Sequence, residues 1–406
     1  MAEMSLVRNK LEDFKCCAND AIHFKLVRQQ ADLEDEKTTF KPDMTHQLFG
    51  EQESIFGYKD LVVQVFFTAG KLIPYMSLSF SDMVTGQDGV YPDNVTEKLM
   101  KEMAPGVLTN RDDFLTAVDK DVNFTPFGEL MHSYKVVVDG KEREFQVYKT
   151  DVETPGFREY HQRLQTFILF YIDAASFLDD DDDKWRFYLL FEKYKRDGNT
   201  MYATVGYMTA YNYYAYPDSV RPRLSQFLIL PPFQRQGHGA QLLQTFYNDV
   251  TPDPKVLDIT VEDPSENFQR LRDFVDARNC AALKNFQPDY LLEGFHSAMV
   301  DEARKKLKLN KQQARRMYEI LRLRITEESN TSMYRQYRLD VKRRLNKPFQ
   351  KSKRDFHKLE KALHPDELAQ TLSCLTTEQR QMQLEKLFQE HVTAYRQIID
   401  RMASAS

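Results

Sequence analysis

The chain of 406 residues predicts a mixed α/β protein. A mixed sheet with flanking helices occupies the middle, a smaller mixed α/β part precedes it and a helical region follows. Three observations lead there. Residues 185–193, 201–216 and 223–230 are successive runs rich in aromatic and β-branched side chains, the first two joined by a turn at Asp197-Gly198-Asn199, so they read as strands of one sheet. The third run stops at Pro231-Pro232, passes through a glycine-containing turn and enters a helix-like segment from Ala240, which is a strand–turn–helix order. From about residue 289 onward apolar residues recur at three- and four-residue spacing. The predicted divisions are 1–122, 123–256, 257–327 and 328–406.

In chain order, 21–27 and 61–69 read as strands, and 93–103 and 111–120 as short helices. Glu51, Gln52 and Glu53 follow a turn at Phe49-Gly50 and read first as a solvated acidic loop. Residues 143–149 alternate as a strand. Tyr160, Leu164, Phe167, Ile168, Tyr171 and Ala175 lie at helical spacing and predict one long helix over 158–177. The aspartates at 179–183 repel one another and predict an exposed turn. A short strand is expected over 256–260, then a helix over 266–277 capped by Ser265. Residues 303–325 predict a basic helix burying Met317, Ile320 and Leu321. The basic run at Lys342-Arg343-Arg344, Lys347, Lys351, Lys353 and Arg354 reads as an import signal or a solvated helix face. Leu384, Phe388, His391, Tyr395, Ile398 and Met402 predict a final amphipathic helix.

Composition narrows the function classes. Hydrophobic residues make up 42% and charged residues 29%, as in soluble globular proteins. No apolar run approaches the roughly 18 residues of a membrane span, and the first residues lack a secretory apolar core. Cys16, Cys17, Cys280 and Cys374 have no zinc spacing, so no metal is expected and a reducing compartment is. A net charge of −5 disfavours direct nucleic-acid binding and favours a basic substrate.

Gln234-Arg235-Gln236-Gly237-His238-Gly239-Ala240 carries the chemistry. Glycines before a helix let a ligand approach the backbone, whose free N–H groups and dipole attract an anion. The P-loop requires Gly-Lys-Ser/Thr, which is absent, and the dinucleotide fingerprint fails because Leu242 stands where its third glycine belongs. Gln/Arg-x-x-Gly-x-Gly/Ala between strand and helix resembles the pyrophosphate loop of the GNAT acyltransferases. By itself the string reads equally as a glycine turn capping a helix.

The segments V-G-Y-M-T-A-Y-N-Y-Y (205–214), Q-F-L-I-L-P-P-F-Q-R-Q-G-H-G-A-Q-L-L (226–243) and L-D-I-T-V-E-D-P-S (257–265) occur in this order and closely resemble the type B histone acetyltransferase catalytic subunits. T-H-Q-L-F-G (45–50), F-R-E-Y-H-Q-R-L-Q-T-F (157–167) and K-Q-Q-A-R-R-M-Y-E-I-L-R (311–322) resemble them too, so the likeness spans nearly the whole chain. It implies a GNAT-type sheet and transfer of acetyl from acetyl-CoA to lysines in the N-terminal tail of histone H4, with H2A as a lesser substrate. A WD40-propeller histone-binding chaperone subunit is the implied partner, and nucleus and cytoplasm the implied locations. The resemblance puts the backbone of Phe227, Leu228 and Ile229 beside the acetyl and pantetheine arm, Gln234 to Ala240 around the pyrophosphate, and Asn267 at a further cofactor contact. It puts Trp185 and Phe274 around the target lysine, Tyr211, Asn212 and Tyr213 along the peptide, and Glu51, Gln52 and Glu53 against the tail. Arg235 departs from the family's glycine, and Asp173 stands where a glutamate is expected.

A lysine ammonium with a pKa near ~10.4 is neutral in only about one molecule in a thousand at physiological pH, so attack on a thioester needs a base. Glu262, after the predicted strand, is the candidate, with Asp263 beside it and Asp173 as auxiliaries; the bland reading of the pair is an acidic helix cap. A backbone N–H of the strand ending at Pro231 would face the oxyanion. Two other classes fit parts of the pattern, a small-amine or polyamine acetyltransferase and a non-catalytic histone-binding scaffold. The large flanking parts disfavour the first, and the phosphate loop together with Glu262 the second.

Overall fold

The computed structural model describes residues 12–85, 89–179, 181–327, 329–351 and 377–404. Contacts divide the chain into two compact units, one reaching Tyr216 and including Val220–Asp249, the other comprising Pro217–Ser219 and everything from Val250.

The first unit begins with a three-stranded sheet of β1 (Ile22–Val27), β2 (Val62–Thr68) and β3 (Pro74–Ser79), with β1 parallel and β3 antiparallel to the central β2. Helix α1 (Arg111–Lys120) starts at Asn110, whose Oδ1 accepts from the N–H of Asp112 at 2.8 Å and of Asp113 at 3.2 Å. It buries Phe114 and Val118 against Val27, Phe66 and Tyr75.

The main sheet follows. Strands β4 (Glu129–Val138) and β5 (Lys141–Thr150) form a hairpin closed by Asp139 and Gly140 at φ 49° and 72°, the twist a two-residue turn requires. Only 143–149 of this hairpin is evident in the sequence pattern. Helix α2 (Phe157–Gln165) leads to β6 (Trp185–Arg196), β7 (Asn199–Ala215) and β8 (Ser219–Ile229), and these five strands lie side by side in the order β8-β7-β6-β5-β4. Asp197 and Gly198, at φ 51° and 79°, close the β6–β7 hairpin as expected. Leu190 pairs with Gly206 but Phe191 with Thr204, so Val205 is an extra residue that bulges β7. Helix α3 (His238–Val250) completes the unit.

The long helix expected over 158–177 is broken. After α2 only a single further turn forms at Ile168–Tyr171. Phe167, Ile168, Leu169 and Phe170 are all buried, so the run packs on every side instead of along one stripe. The carbonyl of Phe170, which helix continuation would use, instead accepts from the N–H of Asp43 at 3.1 Å and of Met44 at 3.2 Å.

Within this unit His161 is fully buried between Phe157, Phe187 and Tyr207, and neither ring nitrogen has a hydrogen-bond partner among the described residues. Burial pushes its pKa down to about 3. The unfolded chain takes up this proton near pH ~6.5 and the folded chain does not. The stability held above that pH is therefore lost as pH falls toward the folded value, at about 1.4 kcal/mol per pH unit. His161→Phe is expected to remove one proton from the uptake on unfolding, read as a shallower fall of melting temperature between pH 7 and 5. An unchanged slope refutes this.

The second unit is helical apart from β9 (Thr260–Val261). The strand expected over 256–260 does not extend that far back. The N–H of Val256 closes a turn onto Asp253 O at 3.2 Å, and that of Ile259 goes to Lys308 O at 2.9 Å. Helix α4 (Glu266–Ala281) is capped by Ser265, whose hydroxyl accepts from Phe268 N–H at 3.2 Å. The basic helix expected over 303–325 is two helices, α5 (Ser297–Leu307) and α6 (Lys311–Arg324), separated where Lys308 turns left-handed at φ 56° and Asn310 caps anew. Met317, Ile320 and Leu321 are buried on α6 as predicted.

Helices α7 (Thr331–Leu345) and α8 (Thr377–Ser404) pack on α6. Leu384, Phe388, Tyr395, Ile398 and Met402 of α8 are buried, with Val392 in place of the half-buried His391. Glu319 of α6 is fully buried and accepts from Arg315 at 2.8 Å, from Arg344 at 2.6 and 2.8 Å, and from the Tyr395 hydroxyl at 3.0 Å. Such complete pairing is what lets a carboxylate sit in a core. Within the basic run, Lys342 and Arg344 are spent on Glu385 and Glu319; Lys353 and Arg354 lie outside the described residues, as does Cys374.

Candidate active site

The loop after β8 is braced by its own side chains. Gln234 Nε2 donates to Ile229 O at 2.9 Å and Gln236 Nε2 to Pro232 O at 3.1 Å. Arg235 stands at φ 61° and Gly237 at φ 90°, both left-handed. That conformation costs glycine nothing, which explains why a glycine suits position 235. A side chain at Gly237 would meet nothing within 4 Å, so its outer face is open to a ligand. Helix α3 starts at His238, and first-turn N–H groups have no partner within a helix. Ala240 and Gln241 both donate back to Gly237 O, at 3.1 and 3.2 Å.

His238 serves this loop through its backbone. Its side chain is turned inward, buried 4.1 Å from the Phe145 ring, with the Tyr134 hydroxyl 2.8 Å from Nδ1 and Gln236 Oε1 3.3 Å from Nε2. Burial pushes its pKa down to about 4, so the ring is neutral and pins the start of the helix. Nothing in the sequence flags Tyr134 for this role.

Strand β8 meets β7 closely ahead of the loop. A Cβ on Gly206 would sit 2.3 Å from Leu228 O, so only glycine fits beside Phe227, Leu228 and Ile229. Leu228 is buried, while Phe227 and Ile229 are half-buried. Leu230 N–H donates to the bulge carbonyl, Val205 O, at 2.9 Å. The isolated glycine within a strand pattern was the available signal for this approach.

At the far end of β7 the aromatic candidates come together. Trp185 pairs across the strands with Tyr211, their rings 4.9 Å apart and edge to face, and Tyr211 meets Tyr213 at 4.6 Å. Asp182 accepts from the Tyr211 hydroxyl at 2.7 Å, which pushes that phenol up to about 12. Asn212 N–H donates to Lys184 O at 3.2 Å. Lys184 and Arg223 lie over the Tyr211 and Tyr213 rings at 5.9 and 5.2 Å, so these faces accept cations.

The acidic candidates divide. Glu51 and Gln52 are exposed. Glu53 folds back and accepts from Thr45 N–H at 2.6 Å and Asn19 Nδ2 at 2.8 Å; the Thr45 bond holds its carboxyl below the usual range. His46 stands between Glu53 Oε1 at 3.9 Å and Asp173 Oδ1 at 3.1 Å, an acid–imidazole–acid row that the sequence reading missed.

The remaining candidates belong to the second unit. Glu262 and Asp263 are exposed just after β9, with Asp263 turning the chain at φ 31°. Their segment is braced by the Ile259–Lys308 bond and by Arg272, which donates to Ile259 O at 3.4 Å. Asn267 is exposed in the first turn of α4 and accepts from Arg270. Phe274 is buried in α4 under the Arg401 guanidinium, 4.2 Å from its ring.

Residues 14–173 match the family described as Histone acetyl transferase HAT1 N-terminus, and residues 272–323 that described as Histone acetyltransferase type B catalytic subunit, C-terminal. The chain is 49% identical over 402 residues to the Homo sapiens histone acetyltransferase type B catalytic subunit, covering 98% of this chain and 96% of that one. The chain belongs to this family. The relative of the same description from Mycosarcoma maydis is 33% identical over 373 residues, covering 84% of this chain and 82% of that one. As a type B family member the chain is an enzyme, an acetyltransferase, and its mixed sheet with the strand–loop–helix at 219–250 is the fold predicted from its sequence. The left-handed loop before α3 leaves the space above Gly237 clear of side chains.

Proposed function

We propose that this enzyme acetylates lysines in the N-terminal tail of histone H4, with H2A as a lesser substrate, using acetyl-CoA, in nucleus and cytoplasm and beside a WD40-propeller histone-binding chaperone subunit. The near full-length identity to type B catalytic subunits carries the reading. Acetyl-CoA supplies the acetyl group as an activated thioester. Gln234 to Ala240 hold its pyrophosphate, the backbone of Phe227, Leu228 and Ile229 its acetyl and pantetheine arm, and Asn267 adds a contact. The cation-accepting rings of Tyr211 and Tyr213, with Asn212, suit a tail rich in Lys and Arg, and Trp185 and Phe274 line the stem of the target lysine. Glu51 and Gln52 offer exposed polar contacts to the tail, while Glu53 shapes their loop. Glu262 accepts the ammonium proton, with Asp263 and Asp173 as auxiliary carboxylates.

The test is acetyl transfer to an H4 tail peptide beside spermidine and a scrambled peptide of equal charge. The H4 peptide is expected to have the highest kcat/KM, and Glu51→Gln to raise its KM and weaken its salt dependence at unchanged kcat. Equal use of spermidine overturns the histone reading, and a fall in kcat overturns the role of Glu51.

A further inference from the structure

Phe274 is 3% exposed, and a cation from another helix lies on its ring. Arg401, near the end of α8, places its guanidinium carbon 4.2 Å from the ring centroid, and Arg278, one turn along α4, stands at 5.5 Å. The backbone beneath Arg401 is fixed, because Ile398 and Met402 on either side of it are buried and the Tyr395 hydroxyl is tied to Glu319 at 3.0 Å. Arg401 is itself exposed, so its side chain can leave the ring while the helix stays in place.

We propose that Arg401 is a specificity-determining cap on the lysine subsite. Its guanidinium holds the Phe274 ring in the free enzyme, and a substrate tail must displace it. This rests on the reading above that Phe274 lines the target lysine. A cation on the face of an aromatic ring is attracted by the ring quadrupole and leaves no room for a second group on that face. The incoming tail carries lysines and arginines, so Arg401 also opposes it by like charge. Exposed side chains change rotamer in nanoseconds or less, so the cap bears on peptide affinity and leaves the chemical step alone. A tail that reaches the ring only weakly is turned away, and one held by further contacts displaces the cap.

The experiment uses the full chain with an H4 tail peptide at saturating acetyl-CoA. Arg401→Met keeps an apolar stem over Phe274 and removes the charge. It is expected to lower the peptide KM by about 2–5-fold, the worth of an exposed cation–ring contact, at unchanged kcat and unchanged KM for acetyl-CoA. Arg401→Ala is expected to act in the same direction, and Arg401→Lys, which restores a cation on the ring, to return KM toward the wild-type value. An unchanged or raised peptide KM in a folded Arg401→Met protein overturns the cap. So does a fall in kcat with the pH optimum moving up, which would mean that Arg401 eases deprotonation of the lysine. Phe274→Leu separates the two levels of the argument. If it raises the peptide KM while Arg401→Met does not lower it, the cap alone falls. If it leaves KM untouched, the assignment of Phe274 falls and the cap with it.

Discussion

Glu262→Gln is expected to lower kcat by roughly 10²–10⁴-fold, the range for loss of a general base, while acetyl-CoA binding survives. The substitution keeps size and shape and removes the proton acceptor. Glu262 is exposed on a segment stiffened by the Ile259–Lys308 and Arg272–Ile259 hydrogen bonds, so the carboxylate can meet solvent or substrate from a fixed backbone. Asp263, at φ 31°, turns the chain at once into the capped start of α4. Raising the pH is expected to restore part of the lost rate, because more of the lysine is then already neutral. The measurement is a pH–rate profile of both proteins at saturating cofactor. Retention of more than about a third of wild-type kcat with chemistry rate-limiting identifies the pair as no more than a helix cap.

Gly237→Glu is expected to abolish measurable acetyl-CoA binding without unfolding the protein. At φ 90° any side chain strains the backbone, by about 1–2 kcal/mol. The larger loss comes from the ligand, since the open space above Gly237 would hold a carboxylate in competition with a pyrophosphate at the helix start. Gly237→Ala separates these effects, carrying the strain without the charge, and should lose less. Calorimetry on the folded variants decides, and affinity of Gly237→Glu within threefold of wild type refutes the assignment.

Much of this was legible because local chemistry and tertiary need coincide. Asp197-Gly198 closes its hairpin, Asn110 and Ser265 cap their helices, and Met317, Ile320 and Leu321 face inward as spacing requires. The helix expected over 158–177 failed because its carbonyl at Phe170 is claimed by Asp43 and Met44, which periodicity does not see. The break at Lys308 needed a left-handed lysine, a conformation no composition rule favours. At the candidate site the loop and Glu262 stood out by residue type, and Gly206 was a usable signal. Glu53, His238 and Phe274 were visible as residues but not in their present surroundings. Their partners, Thr45, Tyr134 and Arg401, come from elsewhere in the chain, and nothing in local pattern announces a meeting over such separations.

The closure of Glu319 sets an order of events during biosynthesis. Its partners are Arg315, Arg344 and Tyr395, and the last of these lies on α8, after the other two in the chain. The first unit has its whole sequence by Asp249 and can fold while translation continues. The second cannot neutralise and enclose that carboxylate until α8 has left the ribosome. A nascent chain halted before α8 therefore carries a complete first unit and a helical unit still lacking its seal.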